Sequence, residues 1–228
     1  EQDPAEWWTS CCTALQELTK QIDLNRVAGV AISNQRETVG LFAADGAPSN
    51  PAILWLDERS ASEVPLFAER VGAEMIHRTT GRPPDTTPVV YTLEWLRKHQ
   101  PEVMERTAKF LDVHGYLVQR LTGRAVASTT SIDAFGLFDI ETQTVSATIL
   151  NALGLTADRF ADVQRPGTLI GEITGEAAEA TGLTVGTPLY VAGGDGQCAG
   201  LGVNATAPGA IYLNLGTAII TGAASQEI

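Results

Sequence analysis

The chain has 228 residues, 44% hydrophobic and 18% charged, an ordinary globular composition with room for one large domain or two small ones. Its net charge of −12, from 15 basic and 27 acidic residues, argues against nucleic acid or an anionic membrane as main partner, while leaving backbone N–H groups free to bind a phosphate ligand. With no run of 18 apolar residues, no signal-peptide pattern, and three cysteines (Cys11, Cys12, Cys198) that make no metal-ligand spacing, a reducing, cytoplasmic setting is expected.

Taken in chain order, Asp3 is placed to cap a helix that starts at Pro4 and runs to about Gln21, with Trp7, Cys11, Leu15 and Leu18 on its apolar face. Strands are expected over 27–33, 38–43 and 52–56, with Asp45-Gly46 turning between the second and third. Helices follow over 60–71, from Thr87-Pro88 through His99, and in a short piece from Pro101. Further on, 109–113 and 134–140 read as strands, and 115–121, 147–153 and 175–181 as helices. Two last strands, 189–192 and 211–215, flank a helix over about 196–201, and residues 204–209 look like a boundary linker. Alternating strands and helices predict an α/β domain with a mixed sheet.

Several kinds of chemistry find no support. There is no Gly-x-x-x-x-Gly-Lys-Ser/Thr loop, no Gly-x-Gly-x-x-Gly after a strand, no Gly-x-Ser-x-Gly elbow and no paired His on a helix. Cys198 has no His near it in sequence and reads as a small buried residue. Four clusters remain. Ser33-Asn34-Gln35-Arg36-Glu37-Thr38 lies between two strands, where Arg36 and Glu37 either grip vicinal hydroxyls or form a surface ion pair. Trp55-Leu56-Asp57-Glu58-Arg59 follows a strand, with Trp55 either a flat wall for a polyol chain or a core residue. Gly193-Gly194-Asp195-Gly196-Gln197 puts a carboxylate at a strand's carboxyl end, as a ligand-facing acid or as part of a solvated Asp-Gly turn. Leu213-Asn214-Leu215-Gly216-Thr217 is a strand followed by a small turn that suits phosphate oxygens.

In this order the four clusters resemble the FGGY carbohydrate kinases, which include glycerol kinase and xylulokinase. The likeness extends over essentially the whole chain, with Trp-x-Asp-x-Arg present as Trp55, Asp57 and Arg59. The resemblance implies an actin-like (ribonuclease H-like) ATPase fold: residues 1–207 as the substrate-binding domain and 208–228 as the beginning of an ATP-binding domain. It further implies Asp195 as the catalytic base and Gln35, Arg36, Glu37, Trp55, Asp57 and Gln197 as substrate-binding residues. Gly216 and Thr217 would contact ATP phosphates, and Asp195 would meet Mg²⁺ through water. The implied reaction is ATP-dependent phosphorylation of a primary hydroxyl of an open-chain sugar or polyol. A small-molecule sugar is the expected partner, with no nucleic acid or membrane involved and a homodimer left open. A non-catalytic sugar-binding relative is the alternative of another class.

The sequence departs from the family in places. No Asp-x-Gly-Thr turn precedes Glu1, and the adenine-binding half expected after Ile228 is missing, so a piece of a kinase is expected. Arg36-Glu37 is the glycerol kinase pairing, where xylulokinases carry Met-His. Yet Thr86-Thr87 replaces the aromatic that closes on glycerol, and Thr92 replaces a Lys. The roomier pocket favours a xylulose-type pentulose over glycerol. The isolated 228-residue chain is expected not to turn over ATP; ATP-dependent sugar phosphorylation by this polypeptide alone, in a coupled assay, would contradict that.

Overall fold

The computed structural model describes residues 1–215 and 219–225. Helix α1 (Pro4–Thr19) begins as its sequence requires: Asp3 Oδ1 accepts a hydrogen bond from Ala5 N at 2.9 Å, and Pro4 occupies the first turn, where its missing N–H is not needed. Trp7, Cys11 and Leu15 pack against the core as expected, but the last turn carries Leu18 past it, leaving that residue 48% exposed. Strands β1 (Val30–Asn34), β2 (Val39–Phe42) and β3 (Pro48–Ile53) follow. The third strand was expected over 52–56; it ends at Ile53 because the chain turns there, with Asp57 N donating to Leu54 O.

Helices α2 (Glu63–Val71) and α3 (Ala73–Thr80) are separated by Gly72, whose φ of 102° breaks the helical path. Helix α4 (Val89–His99) and helix α5 (Pro101–Arg106) lead to β4 (Lys109–Leu111). Next come α6 (Val113–Thr122), β5 (Val126–Ser128) and the single turn α7 (Thr129–Ile132). The strand expected over 134–140 does not form. Ser128 caps α7, a 3₁₀ turn covers Asp133–Phe135, and Gly136 in the left-handed region (φ 67°) ends it. A Cβ at Gly136 would also lie 2.9 Å from Pro88 Cβ, so only glycine fits this close approach. What remains of that strand is β6 (Phe138–Asp139), paired with β7 (Thr144–Val145). The chain finishes with α8 (Ala147–Leu153), β8 (Asp162–Gln164), β9 (Leu169–Glu172), α9 (Gly175–Thr181), β10 (Pro188–Gly194), α10 (Asp195–Gly202) and the hairpin β11 (Ile211–Leu215) with β12 (Ile219–Ala223).

The sheets are mixed. One has the order β1-β10-β9, with β1 parallel and β9 antiparallel to β10; another has the order β3-β2-β4, antiparallel throughout; β5 pairs in parallel with β8. Two apolar clusters fill the interior, and α6 belongs to both. Tyr116 and Leu117 join the larger cluster, where Phe42 stacks on Tyr116 at 4.8 Å between ring centroids, while Val118 and Leu121 join the smaller with Leu189 and Val191. The β10 sheet and the β2 sheet are thus packed on one shared helix. Among the described residues no helix is long and apolar enough to cross a membrane.

Two carboxylates on the helical side are buried and fully engaged. Glu94 accepts from Arg97 Nε (2.9 Å) and lies 2.8 Å from Arg70 Nη2; Glu63 accepts from Lys98 Nζ (2.5 Å) and meets His99 Nε2 at 3.0 Å. The Lys98 hydrogen bond outweighs the opposing effect of burial and, helped by His99, holds the Glu63 carboxyl below the usual range. A depressed folded-state value means the contribution is fully present above the unfolded value near 4.5 and is lost as pH falls through the folded one. Thermal melts across pH 7 to pH 3 should therefore show a steeper loss of Tm below about pH 4.5 in the natural chain than in Glu63→Gln. Parallel curves would remove this assignment.

Candidate active site

The parallel ladder of β1 and β10 pairs Asn34 with Gly194 and Ser33 with Gly193, so both strands stop at the same level. Beyond one end runs Gln35-Arg36-Glu37; beyond the other, α10 starts at Asp195. The end of β5 is tied to the same place, because Ser128 Oγ donates to Ala192 O at 2.6 Å. Close approach there depends on two glycines. A Cβ on Gly193 would lie 1.9 Å from Thr130 Oγ1, and one on Gly194 would lie 2.3 Å from Arg36 Cδ and 2.5 Å from Gln197 Oε1. The Arg36 stem and Gln197 therefore occupy the space that a side chain at Gly194 would take, directly beside the base of Asp195.

Asp195 itself is exposed, and its Oδ1 accepts from Gly196 N at 2.8 Å. Among the described residues no Lys, Arg or His forms an ion pair with it, unlike the neighbouring acids. Arg36 Nη2 reaches Asp133 Oδ2 at 2.5 Å, and Arg82 Nη1 reaches Glu37 Oε1 at 2.7 Å. Glu37 sits at φ 47°, a left-handed backbone that costs a non-glycine residue about 1–3 kcal/mol and concentrates at functional sites. Three polar atoms in this cluster, Arg36 Nε, Asp133 Oδ1 and Asn34 Oδ1, are buried without a hydrogen-bond partner.

Beneath the cluster runs a buried polar chain. Asn34 Nδ2 donates to Gln35 O (2.8 Å) and to Ser131 Oγ (3.0 Å); Ser131 Oγ donates to Asp112 Oδ2 (2.5 Å); Asp112 Oδ1 caps α6 by accepting from Gly115 N (2.7 Å). This chain pins the end of β1 to α6 and α7. Asp112, Ser131, Asp133 and Arg82 have no role in the sequence reading. Asp112 and the Ser128-Thr129-Thr130 start of α7 carried the only local signal, that of helix caps.

The remaining expected site residues are placed as follows. Gln35 Nε2 donates to Gln2 Oε1 at 3.4 Å, and the Gln2 backbone pairs with Ala52, which links the Arg36 loop to the segment carrying Trp55. Trp55 is 43% exposed, so it is not a core residue. Asp57 is held locally: Arg59 Nε and Nη2 each donate to one of its oxygens at 2.7 Å, and Arg59 also reaches Glu1 and lies over the Trp95 ring. The Arg59 hydrogen bond keeps the Asp57 carboxyl below its ordinary range despite opposing burial. Gly216 and Thr217 lie outside the described residues. The hairpin strands on either side of them, β11 and β12, dock on α10, with Tyr212 OH donating to Gly196 O at 2.7 Å, one residue past Asp195.

No group of three or more His, Cys, Asp or Glu among the described residues could cage a metal ion. A single exposed carboxylate at Asp195 fits Mg²⁺ in its usual form, brought in on substrate phosphates and keeping most of its waters. A groove of about 990 Å³ lined by Glu74, Met75, Arg78, Thr79, Asp139, Ile140 and Glu141 shares no residue with the cluster. Because Gly194 makes room for Arg36, Gly194→Ala should destabilise the protein by about 1–3 kcal/mol through overpacking. Gly175→Ala, with open space at its Cβ position, should stay within about 0.5 kcal/mol. Urea unfolding of both variants checks the contrast, and equal midpoints would contradict the packing described.

Residues 1–202 match the FGGY family of carbohydrate kinases, N-terminal domain. The chain is 30% identical over 228 residues to the xylulose kinase of Streptomyces rubiginosus, covering 100% of this chain and 46% of that protein. Its fold superposes on the ligand-bound xylulose kinase from Lactobacillus acidophilus with a TM-score of 0.90 at 26% identity, over 96% of this chain and 44% of that one. The gluconate kinase from Lactobacillus acidophilus gives 0.91 at 27% identity, over 97% and 45%. The chain thus spans about half the length of the curated relatives it matches. These matches bear out the mixed α/β, actin-like ATPase architecture expected from the sequence, and with the strand-end acid in place beside Arg36 they lead to one statement of identity: the chain belongs to the FGGY family of carbohydrate kinases.

Proposed function

We propose that this chain supplies the sugar-binding half of a kinase that phosphorylates a primary hydroxyl of an open-chain sugar, a xylulose-type pentulose first, at the expense of ATP. The observation that carries the reading is Asp195: a carboxylate with no cation paired to it among the described residues, at the carboxyl end of a central strand, with Arg36 and Gln197 packed against its base. Asp195 takes the proton from the attacking hydroxyl. Arg36 and Glu37 hold neighbouring hydroxyls, one donating and one accepting, while Gln35 and Gln197 add amide hydrogen bonds. Trp55, exposed on the segment that Gln2 joins to the Arg36 loop, covers the carbon chain, and Asp57 orders that segment through Arg59.

ATP with Mg²⁺ supplies the phosphoryl group and the charge neutralisation when bound. On this side of the reaction the chain has three tasks: to fix the hydroxyl, to remove its proton and to keep Arg36 in place. Residues 1–207 form the sugar-binding domain in this reading, and 208–228 begin the nucleotide domain, with Gly216 and Thr217 at the phosphates. Docking of the β11–β12 hairpin on α10, with Tyr212 OH on Gly196 O, supports that arrangement. A glycerol kinase is the second reading, favoured by the Arg36-Glu37 order itself, and kcat/KM for D-xylulose against glycerol separates the two.

In the full-length protein, Asp195→Asn should lower kcat by about 10²–10⁴-fold, the usual worth of a general base, with a smaller change in KM for the sugar. A variant retaining the natural kcat would remove Asp195 as the base.

A further inference from the structure

We propose that Asp133 is a specificity-determining residue that commits the site to an uncharged polyhydroxylated substrate and against an aldonate, the sugar-chain acid that ends in a carboxylate. Resting on the placement of the sugar at Arg36 given above, the proposal names the charge class of that sugar. An unpaired arginine in a sugar cleft is a ready receiver for a carboxylate, because its planar fork matches the two oxygens. Arg36 is not in that state. Its Nη2 is taken by Asp133 Oδ2 at 2.5 Å, and its stem is packed against Gly194. The second guanidinium of the cluster is engaged as well, Arg82 with Glu37 at 2.7 Å.

Three carboxylates, Glu37, Asp133 and Asp195, stand with two guanidiniums, Arg36 and Arg82, at this end of the sheet. An aldonate placed on Arg36 would add a like charge beside Asp133 or displace it. The side chains of Arg36 and Asp133 are 16% and 29% exposed, so solvent screens that repulsion poorly. A neutral polyol meets no such barrier. Arg36 Nε and Asp133 Oδ1 are each buried without a partner, so a shift of this pair that exposes them to vicinal hydroxyls offers a neutral sugar one donor and one acceptor. The exclusion is a repulsive element as much as an attractive one, which is how a shared scaffold separates related substrates.

Calorimetric titration of the full-length protein with D-xylulose and with D-gluconate, in the absence of nucleotide, tests the proposal. The natural protein should bind the ketose more tightly than gluconate by at least about tenfold, equivalent to about 1.4 kcal/mol. Asp133→Asn, similar in shape without the charge, should cut that ratio by about tenfold, mainly through tighter gluconate binding. Asp133→Glu, which keeps the charge, should hold the natural order of preference. A ratio unchanged in Asp133→Asn, a natural preference for gluconate, or an equal loss of both ligands in both variants would overturn the proposal. Since no nucleotide is present, a ratio that shifts as described in a protein that phosphorylates neither sugar would count against the kinase reading alone. An unchanged ratio with phosphorylation intact would count against Asp133 alone.

Discussion

The parallel pairing of β1 with β10 is the constraint from which the rest of the site follows. It sets Asn34 opposite Gly194, so that the loop carrying Arg36 and the turn carrying Asp195 leave the sheet side by side. Side chains at the carboxyl ends of adjacent parallel strands share one crevice, whatever their distance in sequence. Here 159 positions of chain separate Arg36 from Asp195, and a single ladder brings them together. A register slip of one residue would turn Asn34 away from Ser131 and break the polar chain down to Asp112. Backbone pairing and the buried side-chain network therefore specify the same register.

Charge is used in two different ways in the molecule. Glu63 and Glu94, buried on the helical side, are satisfied by Lys98, His99, Arg70 and Arg97, and their business is to hold α2 and α4 together. At the strand ends, by contrast, the pairing is incomplete. Arg36 with Asp133 and Arg82 with Glu37 are joined, yet buried atoms are left without partners and Asp195 pairs with no cation among the described residues. Structural ion pairs are closed; a site must keep some capacity unspent. Strain at Glu37 and the forced closeness at Gly193 and Gly194 fall in the same place, as expected where packing serves a ligand and not the core alone.

Much of this was legible in the sequence. The helices over 147–153 and 175–181 and the strand over 211–215 have the bounds that composition and caps predict, and Asp3, Pro4 and Asp45-Gly46 act as written. What escaped were the strands of two to four residues over 126–128, 144–145, 162–164 and 169–172, too short for a periodic signal and defined by their neighbours. The helix over 73–80 was hidden behind Gly72, and the strand expected over 134–140 was overridden by the cap at Ser128 and the glycine turn at Gly136. In the site, Asp195, Arg36 and Glu37 stood out because they sit beside glycines or between strands. Asp133, Arg82, Ser131 and Asp112 did not, because their role comes from contacts 19 to 97 positions away that no local pattern records.

The most direct test of this account is a crystal structure of the full-length protein with a neutral ketopentose and a non-hydrolysable ATP analogue. We predict the terminal hydroxyl of the sugar within about 2.6–3.2 Å of the Asp195 carboxylate, with its neighbouring hydroxyls on the Arg36–Glu37 loop. A sugar seated instead in the groove between Glu74 and Glu141, with Asp195 facing only water, would contradict it.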